Sequence, residues 1–177
     1  MNKHTWQYVV AGLVPTALII LFKIKEKQMI PASVSNLKAF LFMIQYSEGT
    51  YGANAYRTLF GGGLFDNYNG HPGIAVTKGN LTSTAAGAYQ ILYRTWVTLQ
   101  TALNLPDFSP FSQDRGAIEL IRRRGALDDV MSGRLSVAIN KCRKEWASLP
   151  NAGYGQREQS LQTLTQIYQQ SGGGIAA

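Results

Sequence analysis

Residues 6–22 carry no charge and are mostly apolar, which sets them apart from everything that follows. A helix over that span would be roughly 25 Å long, at the short end of what crosses a bilayer. Lys3 precedes the run and Lys23, Lys25 and Lys27 follow it, while Gly12, Pro15 and Thr16 weaken it as a strongly inserting helix. A cleaved signal peptide needs small residues at its end, and Leu21-Phe22-Lys23 offers none. Apolar residues on all sides argue against an ordinary core helix. The expectation is an uncleaved signal-anchor over residues 1–27. The lysines after the run pull the other way, because basic flanks tend to stay cytoplasmic and would oppose export of the remainder.

A linker is expected at residues 28–35, around Pro31, followed by a globular domain at 36–171 and a flexible tail at 172–177. A chain of 177 residues suits one domain plus an appendage, and 45% hydrophobic residues suffice for a core. Asn36 reads as an N-cap, with Leu37, Phe40, Leu41 and Ile44 at helical spacing behind it. Residues 49–84 are rich in Gly, Asn, Tyr and Thr and read as loops with a small hairpin, Ile74-Ala75-Val76-Thr77 being one strand. Further helices are expected over 87–104, from a Ser112 cap to Gly125, over 126–131, over 134–149 and over 156–170. The fold class is therefore α+β, mostly helical, with a small irregular β region.

The net charge of +7 points to an anionic partner: nucleic acid, anionic lipid or a bacterial cell wall. His4 and His71 are the only histidines and Cys142 the only cysteine, so no metal cluster, cofactor or intrachain disulfide is expected. Cys142 shares a helical pattern with Ile139 and Trp146 and reads as a buried, inert thiol, although a Cys-His nucleophile pair stays open.

Chemistry concentrates on Glu48, in Tyr46-Ser47-Glu48-Gly49-Thr50. A carboxylate at a helix exit, backed by an apolar face, is partly desolvated, and desolvation makes it a general acid near neutral pH. Glycosidases usually carry two carboxylates, yet the next acidic residue is Asp66, eighteen positions on. A single carboxyl suffices where the substrate supplies the nucleophile. In muramic acid the C6 hydroxyl can attack its own anomeric carbon, leaving a 1,6-anhydro sugar. Gly87-Ala88-Tyr89-Gln90, after Ser83-Thr84-Ala85-Ala86, suits hydrogen bonding to acetamido groups or is simply a capped helix start. In Ala152-Gly153-Tyr154-Gly155-Gln156 a tyrosine between glycines either reaches a carboxylate or packs in a turn.

These segments, together with Asp107-Phe108-Ser109-Pro110, Ser112-Gln113-Asp114, Arg124-Gly125-Ala126-Leu127 and Trp146-Ala147-Ser148-Leu149-Pro150, resemble in the same order the lambda-type phage endolysins. That resemblance implies a lysozyme-like fold and a lytic transglycosylase acting on peptidoglycan glycan strands, with Glu48 as the catalytic residue. More distantly, Gly87-Ala88-Tyr89-Gln90 and Ala152-Gly153-Tyr154 are similar to motifs of cellular lytic transglycosylases, a likeness that implies Gln90 and Tyr154 line the cleft. Ser47 and Gly87 would support it, and Tyr68, His71 and Tyr89 would stack on or hydrogen-bond to sugars, or else pack or lie on the surface. Residues 6–22 resemble signal-arrest-release anchors, which implies a monomer at the host inner membrane, facing the periplasm and releasable into it. Two other readings stay open: a hydrolase using Asp66 as second carboxylate, and a non-catalytic wall-binding protein. Nucleic-acid binding rests on charge alone, with Arg122-Arg123-Arg124 at a helix end as its best feature.

Overall fold

A computed structural model describes residues 31–176. The apolar run and the anchor expected from it lie outside these residues. Among the described residues no helix is long and apolar enough to cross a membrane. The elements run α1 (Ala32–Glu48), two short 3-10 turns (Ala55–Arg57 and Phe60–Gly62), β1 (Val76–Lys78), β2 (Leu81–Ser83), α2 (Tyr93–Leu103), α3 (Pro110–Arg123), α4 (Leu127–Met131), α5 (Leu135–Cys142) and α6 (Leu161–Gln170). A helical domain with one two-stranded antiparallel hairpin is the result.

The apolar spacing of α1 places Ala39, Phe40, Met43 and Ile44 at 0% exposure, packed against α4 and α6. The helix starts earlier than its pattern indicates. Residues 32–35, expected as linker, form its first turn, and Ser35 Oγ donates to Gly172 O at 2.6 Å. Asn36 is not the cap. It is buried, its amide nitrogen donates to Met131 O (3.1 Å), and its oxygen accepts from Gly174 N (2.8 Å). The tail from Gly172 to Ala176 is accordingly fastened, with Ala176 N donating to Gly133 O (3.0 Å) and Tyr168 Oη to Gly174 O (3.1 Å).

Other boundaries shift for local reasons. The hairpin pairs Val76 with Ser83 and Lys78 with Leu81 across a two-residue turn led by Gly79 at φ +61°, two residues later than expected. Ala86 and Ile91 exchange backbone hydrogen bonds and Gln90 sits at φ +46°, so 87–92 is a closed turn and α2 begins only at Tyr93. Ser109, not Ser112, caps α3 ahead of Pro110 at its first position, while Ser112 Oγ donates to Asp107 Oδ1 (2.8 Å). α5 stops at Cys142, and Ser160 caps α6, accepting from Thr163 N at 3.0 Å. Cys142 is fully buried and its thiol is pushed up to about 12, chiefly by burial, which agrees with an inert side chain.

Candidate active site

Three segments distant in sequence meet at the C-terminal end of α1. Gly49, at φ +73°, ends the helix: its N–H donates to Tyr46 O (3.0 Å) and Thr50 N donates to Gln45 O (3.0 Å). This is the paired closure of a Schellman motif, and it makes Glu48 the C-cap residue. Buried Thr50 then places its Oγ1 2.6 Å from Ala88 O, tying the helix exit to the Gly87–Gln90 turn. From the third segment Ser148 Oγ donates to Glu48 Oε1 at 2.5 Å, and the Ser148 and Ser47 hydroxyls are bonded to each other. Trp146 Nε1 donates to Tyr89 O (3.1 Å), holding that segment against the same turn.

Glu48 is partly buried. Burial raises its pKa from 4.5 to about 7, against the hydrogen bonds from Ser148, which lower it. No neighbouring carboxylate is among the causes of the shift. One turn back, Gln45 Nε2 donates to Tyr89 Oη (3.2 Å) and Tyr56 Oη (3.4 Å). Both phenols donate to Asp114 Oδ1, at 2.6 and 2.9 Å. Burial first, and then the Asp114 charge, hold both phenols above their usual range, so they stay protonated donors. Gln45 and Glu48 lie three residues apart and so share a flank of α1. The network on Asp114 thereby fixes the wall beside the carboxyl.

A model of the endolysin family matches residues 38–175. The chain belongs to the endolysin family. The endolysin of Escherichia phage P2 is 46% identical over 156 residues, covering 78% of this chain and 93% of that one. The endolysin of Escherichia phage lambda is 43% identical over 145 residues, covering 78% and 92%. The structure of bacteriophage lambda lysozyme complexed with a chitohexasaccharide superposes with a TM-score of 0.78 at 41% identity, covering 84% of this chain and 99% of that one. The lysozyme-like fold expected from the resemblance is thus observed.

Within this endolysin the expected residues divide. Ser47, buried, bonds Ser148 and belongs to the Glu48 cluster. Gly87, at φ +76°, lies where any Cβ would stand 2.1 Å from Gln113 Oε1, so it shapes the turn. Gln90 donates from Nε2 to Thr58 O (3.1 Å) and Gly87 O (3.0 Å), and its oxygen has no partner among the described residues. Of the remaining four, Tyr89 and His71 sit differently from expectation. Tyr89 is 1% exposed, so its ring offers no face to a sugar. Both nitrogens of His71 are engaged, Nε2 with Ile91 O (2.8 Å) and Nδ1 with Gly73 N (3.1 Å), and burial lowers its pKa, keeping the ring neutral. Tyr154 donates to Lys144 O (3.0 Å), not to Glu48. Half-buried Tyr68 meets Phe65 edge-on at 5.8 Å.

Sequence reasoning missed the groups that hold Glu48 in place: Ser148, Thr50, Gln45, Tyr56 and Asp114. Ser148 lies 100 residues from Glu48, and only the order of separated motifs pointed to its segment. The arginine cluster is engaged internally, Arg122 and Arg123 with Glu119 and Arg124 with Glu145. Arg122, and then Arg123, hold the Glu119 carboxyl down at about 2.

Ser148→Ala removes one of the two influences that keep Glu48 from protonating more readily still. The expected result is an upward move of the ionisation governing the pH–rate profile, since the lost bond favoured the carboxylate. Hydrogen bonds to charged groups contribute about 1.5–3 kcal/mol, enough for a clear displacement. A profile of kcat/KM against pH that stays in place would show that the Ser148 hydroxyl does not act on a Glu48 carboxyl that governs the rate.

Proposed function

We propose that this endolysin cleaves the β-1,4 bond between N-acetylmuramic acid and N-acetylglucosamine in peptidoglycan as a lytic transglycosylase, so causing host cell lysis. The observation that carries this reading is the isolation of Glu48: burial raises its pKa to about 7, and no second carboxylate contributes to the shift. A group that ionises near neutral pH can serve as acid and then as base. Protonated Glu48 gives its proton to the glycosidic oxygen as the bond from that oxygen to the muramic C1 breaks. The resulting carboxylate then takes the proton of the C6 hydroxyl as that oxygen bonds to C1. The sugar leaves as a 1,6-anhydro ring, water is not consumed, and Glu48 ends protonated for the next cycle.

The surroundings suit both stages. Ser148 Oγ stabilises the carboxylate between the two proton transfers. In this reading the oxygen of Gln90, without a partner among the described residues, accepts from an acetamido N–H. Residues 6–22 supply the hold on the inner membrane in this reading, with the domain working on the periplasmic side and released there. Asp66, exposed on its loop, is the residue a hydrolytic route would call on as second carboxylate.

The test is mass spectrometry of fragments released from purified peptidoglycan. Fragments ending in 1,6-anhydro-muramic acid are expected throughout. Reducing-end muramic acid would establish hydrolysis, and an Asp66→Asn protein that folds but no longer cleaves would then name the second group.

A further inference from the structure

A shallow groove of about 400 Å3 lies between β2 and the start of α2, sharing no residue with the contacts of Glu48. Thr82, Ser83 and Thr84 line one side, and Leu92, Tyr93 and Arg94 the other. Its polar groups are biased toward donation. Ser83 Oγ accepts from Ala85 N (3.1 Å) and Thr84 Oγ1 from Tyr93 N (3.2 Å), so each hydroxyl hydrogen is left without an acceptor among the described residues. Exposed Arg94 forms no ion pair among the described residues. Tyr93 is 48% exposed and its ring is backed by His71 at 5.6 Å, so it presents an apolar face. No acidic side chain lines the groove.

A guanidinium and two free hydroxyl donors beside an aromatic face select an anion carried on a partly apolar body. An uncharged sugar would call on acceptors as well, and would leave the guanidinium charge unmatched. Peptidoglycan differs from an uncharged amino-sugar polymer in the peptide on its muramic lactyl group, and that peptide bears carboxylates. We propose that this groove binds a carboxylate of that peptide on the strand being cleaved, an inference that rests on the reading of the Glu48 site given above. The groove is within reach. Thr84 stands four residues before Ala88, whose carbonyl meets Thr50, and Thr50 is two residues past Glu48. Chain extension therefore limits the separation of Thr84 from Glu48 to roughly 30 Å.

The test separates binding from cleavage. Full-length protein carrying Glu48→Gln is titrated with soluble glycan strands, either bearing their peptides or stripped of them by an amidase. Peptide-bearing strands are expected to bind about tenfold more tightly. Adding Arg94→Ala should erase that difference without altering affinity for stripped strands, and Arg94→Lys should restore part of it. Thermal melts confirm that the exposed substitutions leave the fold intact. Equal affinity for the two strands, or an Arg94→Ala effect of the same size on both, overturns the proposal. Cleavage by the protein with Glu48 intact is followed separately. Cleavage without a preference in binding would keep the Glu48 reading and remove the groove, whereas the preference without cleavage would keep the groove and remove that reading.

Discussion

Glu48→Gln lowers glycan cleavage by about 10^3-fold or more and leaves the domain folded. General acid–base groups contribute roughly 10^2–10^4-fold, and in the function proposed above one group fills both roles. The amide preserves the shape and can still accept from Ser148 Oγ. A second effect distinguishes this substitution from a merely inactivating one. The carboxyl has a pKa of about 7 in the folded chain, raised from 4.5. Between those values the folded state holds the proton that the unfolded state releases, so stability falls as pH rises through that window. Below 4.5 both states are protonated and the penalty is absent; above about 7 it is fully present. At 1.36 kcal/mol per unit it amounts to at most about 3 kcal/mol. Glutamine carries no charge and escapes it. The Tm values of the two proteins should agree near pH 4, and the variant should melt higher near pH 8. A variant that is less stable at pH 8, or one that still cleaves, contradicts the account.

Gly87→Ala should be a strongly damaging single-methyl change. The new Cβ would stand 2.1 Å from Gln113 Oε1, 2.7 Å from its Cδ and 3.0 Å from Phe108 Cζ, with φ at +76°. Gln113 cannot give way. It is 0% exposed, its oxygen accepts from Ala88 N (2.9 Å), and its nitrogen donates to Tyr56 O (2.9 Å) and Phe108 O (2.7 Å). A left-handed backbone costs a side-chain-bearing residue about 1–2 kcal/mol, and leaving a buried polar group unsatisfied costs about 1–3 kcal/mol more. A loss of about 3 kcal/mol or more in denaturant unfolding is expected. Activity should fall with it, because Ala88 O is where Thr50 anchors the exit of α1. An alanine protein that unfolds like the parent would mean that the Gln113 side chain is not held as these contacts require.

What could be read in advance was local. Leu37, Phe40, Leu41 and Ile44 announce a buried helical face, and the Glu48-Gly49 pair marks where it stops, because a left-handed glycine closes the last turn. Partners from far along the chain were not legible. Asn36 has the chemistry of a cap, yet Met131 O and Gly174 N, 95 and 138 residues away, claim its side chain. Gln90 sits in a run whose apolar residues, Ile91, Trp96, Leu99 and Leu103, keep helical spacing. Nothing in that spacing discloses a backbone at φ +46°. Tyr89 and His71 are residue types that often meet sugars, but here burial assigns the tyrosine ring to the core and the imidazole to the backbone of Ile91 and Gly73. The same ambiguity hid Asp114, which gathers two phenols from other segments and has no marker of its own in the sequence.

The fastening of the last residues to the first helix has a mechanical corollary. Ser35 with Gly172, and Asn36 with Gly174, bring the two ends of the domain side by side. Tension applied between those ends loads this clasp first, ahead of the opposite end of α1, where Glu48 sits. The helix that carries Glu48 is thus latched at the end opposite that carboxyl.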